Sequence, residues 1–266
     1  MIFDRRIRRK LLSIALFCLS IKSVASTTNE PPLLSKQIHS TNWTTFVKTL
    51  KNAHSKKSIQ LGGFIAHQGN AQDININGLI GDHFSVTKHN DSSGLVGVGY
   101  YLDGQEINGF NLSYGINAFY LAKTGVSGLV TQEQLFTNLG YHYSITNYPI
   151  YLGTKALIKN NRSNKYNFTL DAGVGPNIIT TSSVSETSLD GTIPDNTYSG
   201  RTTATFSAMV GVGIQMNNIF GRVPLECGYR FLYLGKESFN KLSDQLINRL
   251  NTGNSYANIL LCTLTI

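Results

Sequence analysis

The chain has 266 residues, 41% hydrophobic and 14% charged, and a net charge of +8 from 23 Lys and Arg against 15 Asp and Glu. The excess is local: residues 58–266 hold 12 basic and 13 acidic residues, a net of −1. A body without a positive field argues against nucleic acid as a partner, and no apolar stretch reaches the roughly 20 residues of a membrane-spanning helix.

The first ten residues, MIFDRRIRRK, carry five bases and one acid, and an apolar run of 11, LLSIALFCLSI, follows. Small residues stand at Ser23 and Ala25. This is the pattern of a secretory signal peptide over 1–25, with cleavage after Ala25. Residues 26–57 then form a basic periplasmic arm holding Lys36, Lys48, Lys51, Lys56 and Lys57. It reads as a solvated linker or as a contact for anionic headgroups. NWTTFVKTLK (42–51) is a short candidate helix within it.

From residue 58 onward the chain alternates apolar with polar or small residues, the mark of strands with one apolar face. Ten segments carry the pattern: 58–67, 74–87, 94–103, 107–120, 133–146, 149–159, 165–180, 201–216, 222–236 and 254–266. In 107–120, Phe110, Leu112, Tyr114, Ile116 and Ala118 oppose Asn111, Ser113, Gly115 and Asn117. In 165–180, Tyr166, Phe168, Leu170, Ala172 and Val174 oppose Lys165, Asn167, Thr169 and Asp171. In 222–236, Val223, Leu225, Cys227, Tyr229 and Phe231 oppose Glu226, Gly228 and Arg230. Soluble sandwiches also alternate. Here, however, most segments run 10–15 residues, charges stand mid-strand on the polar face, and aromatics gather toward strand ends on the other. Those features suit strands that cross a bilayer at a tilt. An open sheet edge in lipid would leave backbone groups unpaired, so the sheet is expected to close.

Glycines recur at every second position in VGVG (96–99), AGVG (172–175) and VGVG (210–213). All fall on the face opposite the large apolar residues, which is the inside of a narrow barrel where side chains crowd. None leads into a helix, as a phosphate-cradling loop requires. The fold expected is all-β: a closed antiparallel transmembrane barrel over 58–266. Single-chain bacterial barrels have even strand numbers. Ten is the reading preferred, with eight the alternative if two segments merge or one is discarded. With ten, the long connections 181–200 and 237–253 lie on the outer side. The first is rich in Ser, Thr, Asp and Gly and reads as a solvated loop. In the second, Phe239, Leu242, Leu246, Ile247 and Leu250 share one helical face, which predicts a short outer-loop helix ended by Gly253.

The leader, the alternating strands, LDAGVG (170–175), GYRFLYL (228–234) and an apolar-ended last strand together resemble the small Gram-negative outer-membrane β-barrels. The nearest type is the class of the OmpA membrane domain and the opacity proteins. The resemblance implies location in the outer membrane, contact with its lipids and insertion by the barrel-assembly machinery. Such chains commonly end in Phe; this one ends in Ile266, although Leu260, Cys262, Leu264 and Ile266 keep the alternation.

Candidate functional residues are few. Lys155, Asp171, Glu226 and Arg230 point inward and are expected to form a charge network in the lumen. Glu226 and Arg230 stand about 13 Å apart along one strand, so each is expected to pair with Lys155 or Asp171 rather than with the other. Cys227 and Cys262 lie on adjacent strands of the ten-strand arrangement. They are either a cross-strand disulfide in an oxidising compartment or two buried thiols. His142 and Ser144 in YHYS share a face, as in lipid A deacylase barrels. They lie on the polar face, though, and the surrounding motif differs, so no catalytic residue is assigned and the chain is read as a non-enzyme. The histidines show no ligand spacing; no metal or cofactor is expected. Three functions stand in order: a structural or surface-interaction barrel with a largely closed lumen, whose loops meet host or neighbouring molecules; a small porin; and, remotely, a lipid-modifying enzyme.

Overall fold

Period-two alternation places every second side chain on one face of a strand, and in the computed structural model the chain uses this throughout. The structure describes residues 54–107, 110–160, 165–220 and 223–266. The expected signal peptide and the expected arm up to residue 53 lie outside them. In chain order the strands are β1 (Ser55–His67), β2 (Gln72–Ile74), β3 (Asp82–Lys88), β4 (Asn90–Ile107), β5 (Phe110–Gln132), β6 (Phe136–Ile158) and β7 (Tyr166–Thr181). There follow β8 (Ser185–Ser188), β9 (Tyr198–Ser199), β10 (Thr202–Phe220), β11 (Val223–Gly235), β12 (Asn240–Lys241) and β13 (Ser255–Thr265). β1 takes in Ser55–Lys57, the last residues of the basic arm.

Eight strands form a ring of antiparallel pairings. The order runs β1, β4, β5, β6, β7, β10, β11, β13, and β13 pairs again with β1. Eight, not ten, is therefore the number in the ring. Segments 133–146 and 149–159 are one strand, β6. Asn147-Tyr148-Pro149 reads as a turn in sequence. Yet Pro149 sits where the β5 ladder is interrupted, between Ala118↔Ile150 and Leu121↔Asn147, so its missing N–H costs that ladder little. Segment 74–87 is not a ring strand either. It holds β3, which pairs with the far half of β5, and part of β2, which pairs with β3.

The length of β5 and β6 explains both differences. Each has 23 residues, about twice what a tilted strand needs to cross a bilayer. Their outer halves leave the ring and stand up as a sheet, edged by β3 on one side and β8 on the other. Lys57 and Ile266 exchange backbone hydrogen bonds at 2.8 Å, so the first and last ring strands meet at one rim. The strand ends Ile107 and Phe110, Ile158 and Tyr166, and Phe220 and Val223 lie at that rim, and the long segments 68–89, 182–201 and 236–254 lie at the other.

Around the ring one face of the strands turns apolar side chains outward. Leu61, Val98, Val174, Val210 and Leu260 are all more than half exposed. Toward the capped rim the band ends in aromatic pairs: Tyr120 with Tyr148 at 5.4 Å, Phe206 with Tyr233 at 6.4 Å, and Phe231 stacked on Tyr256 at 5.8 Å. Toward the other rim Tyr166 meets Phe168 at 6.4 Å. An apolar belt between two aromatic girdles is the surface a barrel shows to lipid.

The interior has two apolar layers. One fills the outer half of the lumen with Phe64, Leu95, Phe119, Tyr151, Leu232 and Ile259. The other is the core of the cap, including Phe84, Leu139, Tyr143, Phe239, Leu246 and Leu250. The helix expected over 237–253 is not formed, and among the described residues none is helical. An isolated amphipathic turn or two is marginal in water, and neighbouring chain satisfies this backbone instead. Phe239 N–H donates to Leu250 O at 2.9 Å, Ile247 N–H to Asn75 O at 2.8 Å, and β12 pairs with β9. Of the five residues expected on one helical face, Phe239, Leu246 and Leu250 are buried, while Leu242 and Ile247 are exposed. The loop read as solvated, 181–200, likewise buries Val184 and Tyr198.

Candidate functional site

The lumen half nearest the termini is polar, because β1, β6, β7 and β11 turn Gln60, Lys155, Asp171, Glu226 and Arg230 inward. Register decides which of them meet. Asp171 on β7 and Arg230 on β11 both stand opposite Gly211 of the intervening β10. With no side chain at Gly211, Arg230 reaches across the strand to Asp171, at 2.9 Å from Nε and 2.8 Å from Nη2. A Cβ at Gly211 would run into the Asp171 carboxylate and stand 2.7 Å from Arg230 Cγ. Gly97 plays the same part beneath the ring of Phe119. The alternate glycines therefore leave room for large lumen side chains lying over neighbouring strands.

The structure brings all four charged residues singled out in the sequence together. Lys155 Nζ lies 2.7 Å from Glu226 Oε2, and its ammonium sits 5.1 Å from the centre of the Tyr101 ring. The spacing of Glu226 and Arg230 along one strand argues against a good pair between them. The two side chains nevertheless lean toward each other, and Arg230 Nη2 comes within 3.6 Å of Glu226 Oε1. Side-chain exposure is 4% for Arg230, 5% for Asp171, 7% for Glu226 and 12% for Lys155. Two carboxylates and two cations leave the cluster without net charge, the condition on which ions are tolerated away from water.

Three neutral residues complete the network. Arg230 Nη1 donates to Gln60 Oε1, Gln60 Nε2 donates to Asn117 Oδ1 at 2.9 Å, and Tyr101 OH donates to the same oxygen at 2.8 Å. The sequence reading did not single them out. Asn117 was already on a polar strand face, and Gln60 alternates with Ile59 and Leu61; their place on the inward face was the available signal. A cavity of about 220 Å³ opens toward the termini rim and is lined by Lys155, Glu226 and Tyr101. On the far side of the network stand the apolar lumen side chains, each exposed by 5% or less.

Cys227 and Cys262 stand directly opposite in the β11–β13 ladder and are joined by a disulfide. They alternate with inward-facing Glu226 and Thr263, so the bond lies on the lipid-facing side. His142 is exposed on the outer half of β6, and its Nδ1 lies 3.1 Å from Ser127 Oγ. Ser144 is buried, and its N–H donates to Ser182 Oγ at 2.9 Å. Among the described residues no group of three or more His, Cys, Asp or Glu is arranged to hold a metal ion.

No family model matches the chain, and no curated protein matches it either. Among solved structures it is similar to several outer-membrane proteins. Neisserial surface protein A shares 11% identity over 79% of this chain and 96% of its own, with a TM-score of 0.40. The outer membrane protein AlkL, solved in lipid bilayers, shares 10% over 90% of this chain and 97% of its own, at 0.42. The outer membrane protease OmpT of Escherichia coli shares 7% over 79% of this chain and 95% of its own, at 0.43.

Proposed function

We propose that the chain is a closed eight-strand barrel of the outer membrane of a Gram-negative bacterium. Its role is structural or surface-interacting rather than catalytic, and its lumen is occluded. One observation carries the reading: the inward face is filled twice over. Ions that neutralise one another occupy the half nearest the termini, and apolar side chains packed to 0–5% exposure occupy the half beyond. Narrow barrels are filled by side chains rather than open to solvent. The outward apolar belt with its two girdles supports contact with membrane lipids, and such a surface needs the barrel-assembly machinery to reach its bilayer. The cap offers its loops to host or neighbouring surface molecules.

The rival reading is a small porin. It requires a continuous path through both filled layers. Conductance of purified protein in planar bilayers separates the two. The occluded barrel gives no steady current at moderate voltage, whereas a steady open level in the unmodified protein would overturn the reading.

A further inference from the structure

The cap holds a cavity that the lumen network does not touch. It has a volume of about 130 Å³ and lies among β3, β5, β6, β8 and residues 243–246. Its apolar wall includes Phe84, Val130 and Leu246, all at 4% exposure or less. Its polar wall joins three carboxylates, Asp82, Glu186 and Asp195, to the neutral Gln132, Thr197, Ser243 and Gln245; Asp195 is exposed to solvent and Glu186 is buried. No Lys, Arg or His is among its lining residues. Backbone N–H groups hold the two deeper carboxylates in place. Glu133 N–H donates to Asp82 at 3.0 Å, while Asp195 N–H and Asn196 N–H donate to Glu186 Oε2 at 3.0 and 2.9 Å. Burial raises the proton affinity of Asp82 and of Glu186, and the neighbouring Asp195 raises both further. The cavity sets three carboxylates, with no cationic side chain among its lining residues, against an apolar wall.

We propose that this cavity receives a lysine or arginine side chain from a basic segment of a partner protein, with the methylene stem against the apolar wall and the cationic head among the carboxylates. Size and surroundings select that occupant. Pockets for whole small-molecule ligands run to about 300–1,000 Å³, so this one suits a single long side chain. The three carboxylates do not converge as metal ligands. A long basic side chain is built to lie with its stem on apolar surface and its charge at a polar edge. Exposed apolar residues stand beside the cavity for the rest of the segment to cover: Leu79 at 60%, Leu242 at 65%, Ile247 at 62% and Ile193 at 83%. The long-range field agrees in sign. Segments 68–89, 133–135, 182–201 and 236–254 together carry eight carboxylates against five Lys and Arg, a net of −3, which steers cationic partners toward the cap.

The proposal rests on the surface-interaction reading and specifies its partner chemistry. The probe is a fluorescein-labelled synthetic peptide of lysine, leucine and serine, titrated against the full protein in detergent micelles and read by fluorescence anisotropy. Unmodified protein binds it, and acetylating its lysines, which keeps the stems and removes the charge, abolishes binding. Asp195→Asn changes an exposed side chain and weakens binding about two- to fivefold, the range of a partly solvated ion pair. Leu79→Ser also weakens it, whereas Asp190→Asn, on the same end but not among the lining residues, leaves it unchanged. Free hexylamine competes only at far higher concentration than the peptide. Absence of binding, equal loss in Asp195→Asn and Asp190→Asn, or equal competition by hexylamine each overturns the proposal. Bilayer conductance on the same preparation tests the occluded barrel separately, so a failed peptide titration with a non-conducting barrel sinks this inference alone.

Discussion

Removing one carboxylate from the lumen should cost far more than removing one from the rim. Glu226→Ala takes away the partner 2.7 Å from Lys155 and leaves its ammonium, 12% exposed, with only the face of Tyr101 nearby. Arg230 loses its weaker contact at 3.6 Å but keeps Asp171. Breaking a buried pair from one side costs about 3–5 kcal/mol, because the remaining charge is uncompensated. The Tyr101 contact is already present in the unmodified protein and offsets none of this, so a loss of about 3–5 kcal/mol is expected. Glu106→Ala is the control: Glu106 and Lys159 are paired at 2.9 Å but 58% and 46% exposed, and such pairs are worth about 0–1 kcal/mol. The assay is urea unfolding of micelle-embedded protein, followed by tryptophan-independent far-ultraviolet dichroism and by heat-modifiable gel mobility. The double variant Lys155→Met with Glu226→Met should recover most of the loss, since replacing both partners is often near neutral. Equal effects of Glu226→Ala and Glu106→Ala, or a double variant no better than the single, would refute the view that the ions are desolvated and mutually dependent.

Gly211→Ala should lower the unfolding midpoint by pushing apart Asp171 and Arg230, at about 1–3 kcal/mol for an overpacked site, while Gly63→Ala, whose nearest neighbour would be 3.8 Å away, should be close to neutral. Joint replacement of Cys227 and Cys262 by alanine should cost about 2–4 kcal/mol by freeing the unfolded chain; unchanged urea midpoints would show the disulfide to be energetically idle. An epitope inserted at Asp190 should be antibody-accessible on intact cells and one at Asn218 should not, and the reverse result would invert the barrel. The cap should tighten on mild acidification. Glu186 faces Asp82, Asp195 and Tyr198, and Asp82 faces Asp195 and Glu133. Both carboxyls have folded proton affinities above their ordinary values of 4.5 and 3.8. Their stabilisation is complete below those values and is lost as pH rises through the folded ones. Amide exchange in 182–201, corrected for intrinsic rate, should slow from neutral toward mildly acid pH; faster exchange would reverse the sign assigned to these groups.

The class of fold was legible because lipid outside and crowding inside impose period two on every crossing strand. Strand number was not. Periodicity marks a strand but says nothing of where it leaves the membrane, so the 23-residue β6 looked like two crossings separated by Asn147-Tyr148-Pro149. β3 looked like a crossing because its alternation serves the cap, where Phe84 faces an apolar core just as lumen residues do. The helix misread has the same origin. Leu246 and Leu250 suit a helical period, yet the backbone of 237–253 finds partners in Asn75, in β9 and within its own segment, and such long-range pairings leave no trace in local pattern.

The lumen charges were legible for a different reason, and the cap carboxylates were not. A charge in mid-strand on an inward face has few ways to remain charged, so its position alone implies partners across the barrel. Lys155 and Asp171 are register neighbours on adjacent strands, and Asp171 and Arg230 face one another over Gly211. Asp82, Glu186 and Asp195 stand in connecting segments of ordinary polar composition, where sequence allows full solvation. Glu186 stands in 181–200, whose composition reads as a solvated loop; in the structure it is buried, accepting from two backbone N–H groups of a turn that places Asn196 at φ 48°. Its burial follows from the cap sheet, which exists only because β5 and β6 outrun the membrane. The lumen thus pairs its charges internally, whereas the cap presents charge without a cationic counterpart in its cavity. If the cap recognises a basic segment as proposed, that contrast separates stability from recognition in experiment: Glu226→Ala should lower stability without altering peptide binding to the remaining folded protein, and Asp195→Asn should do the reverse.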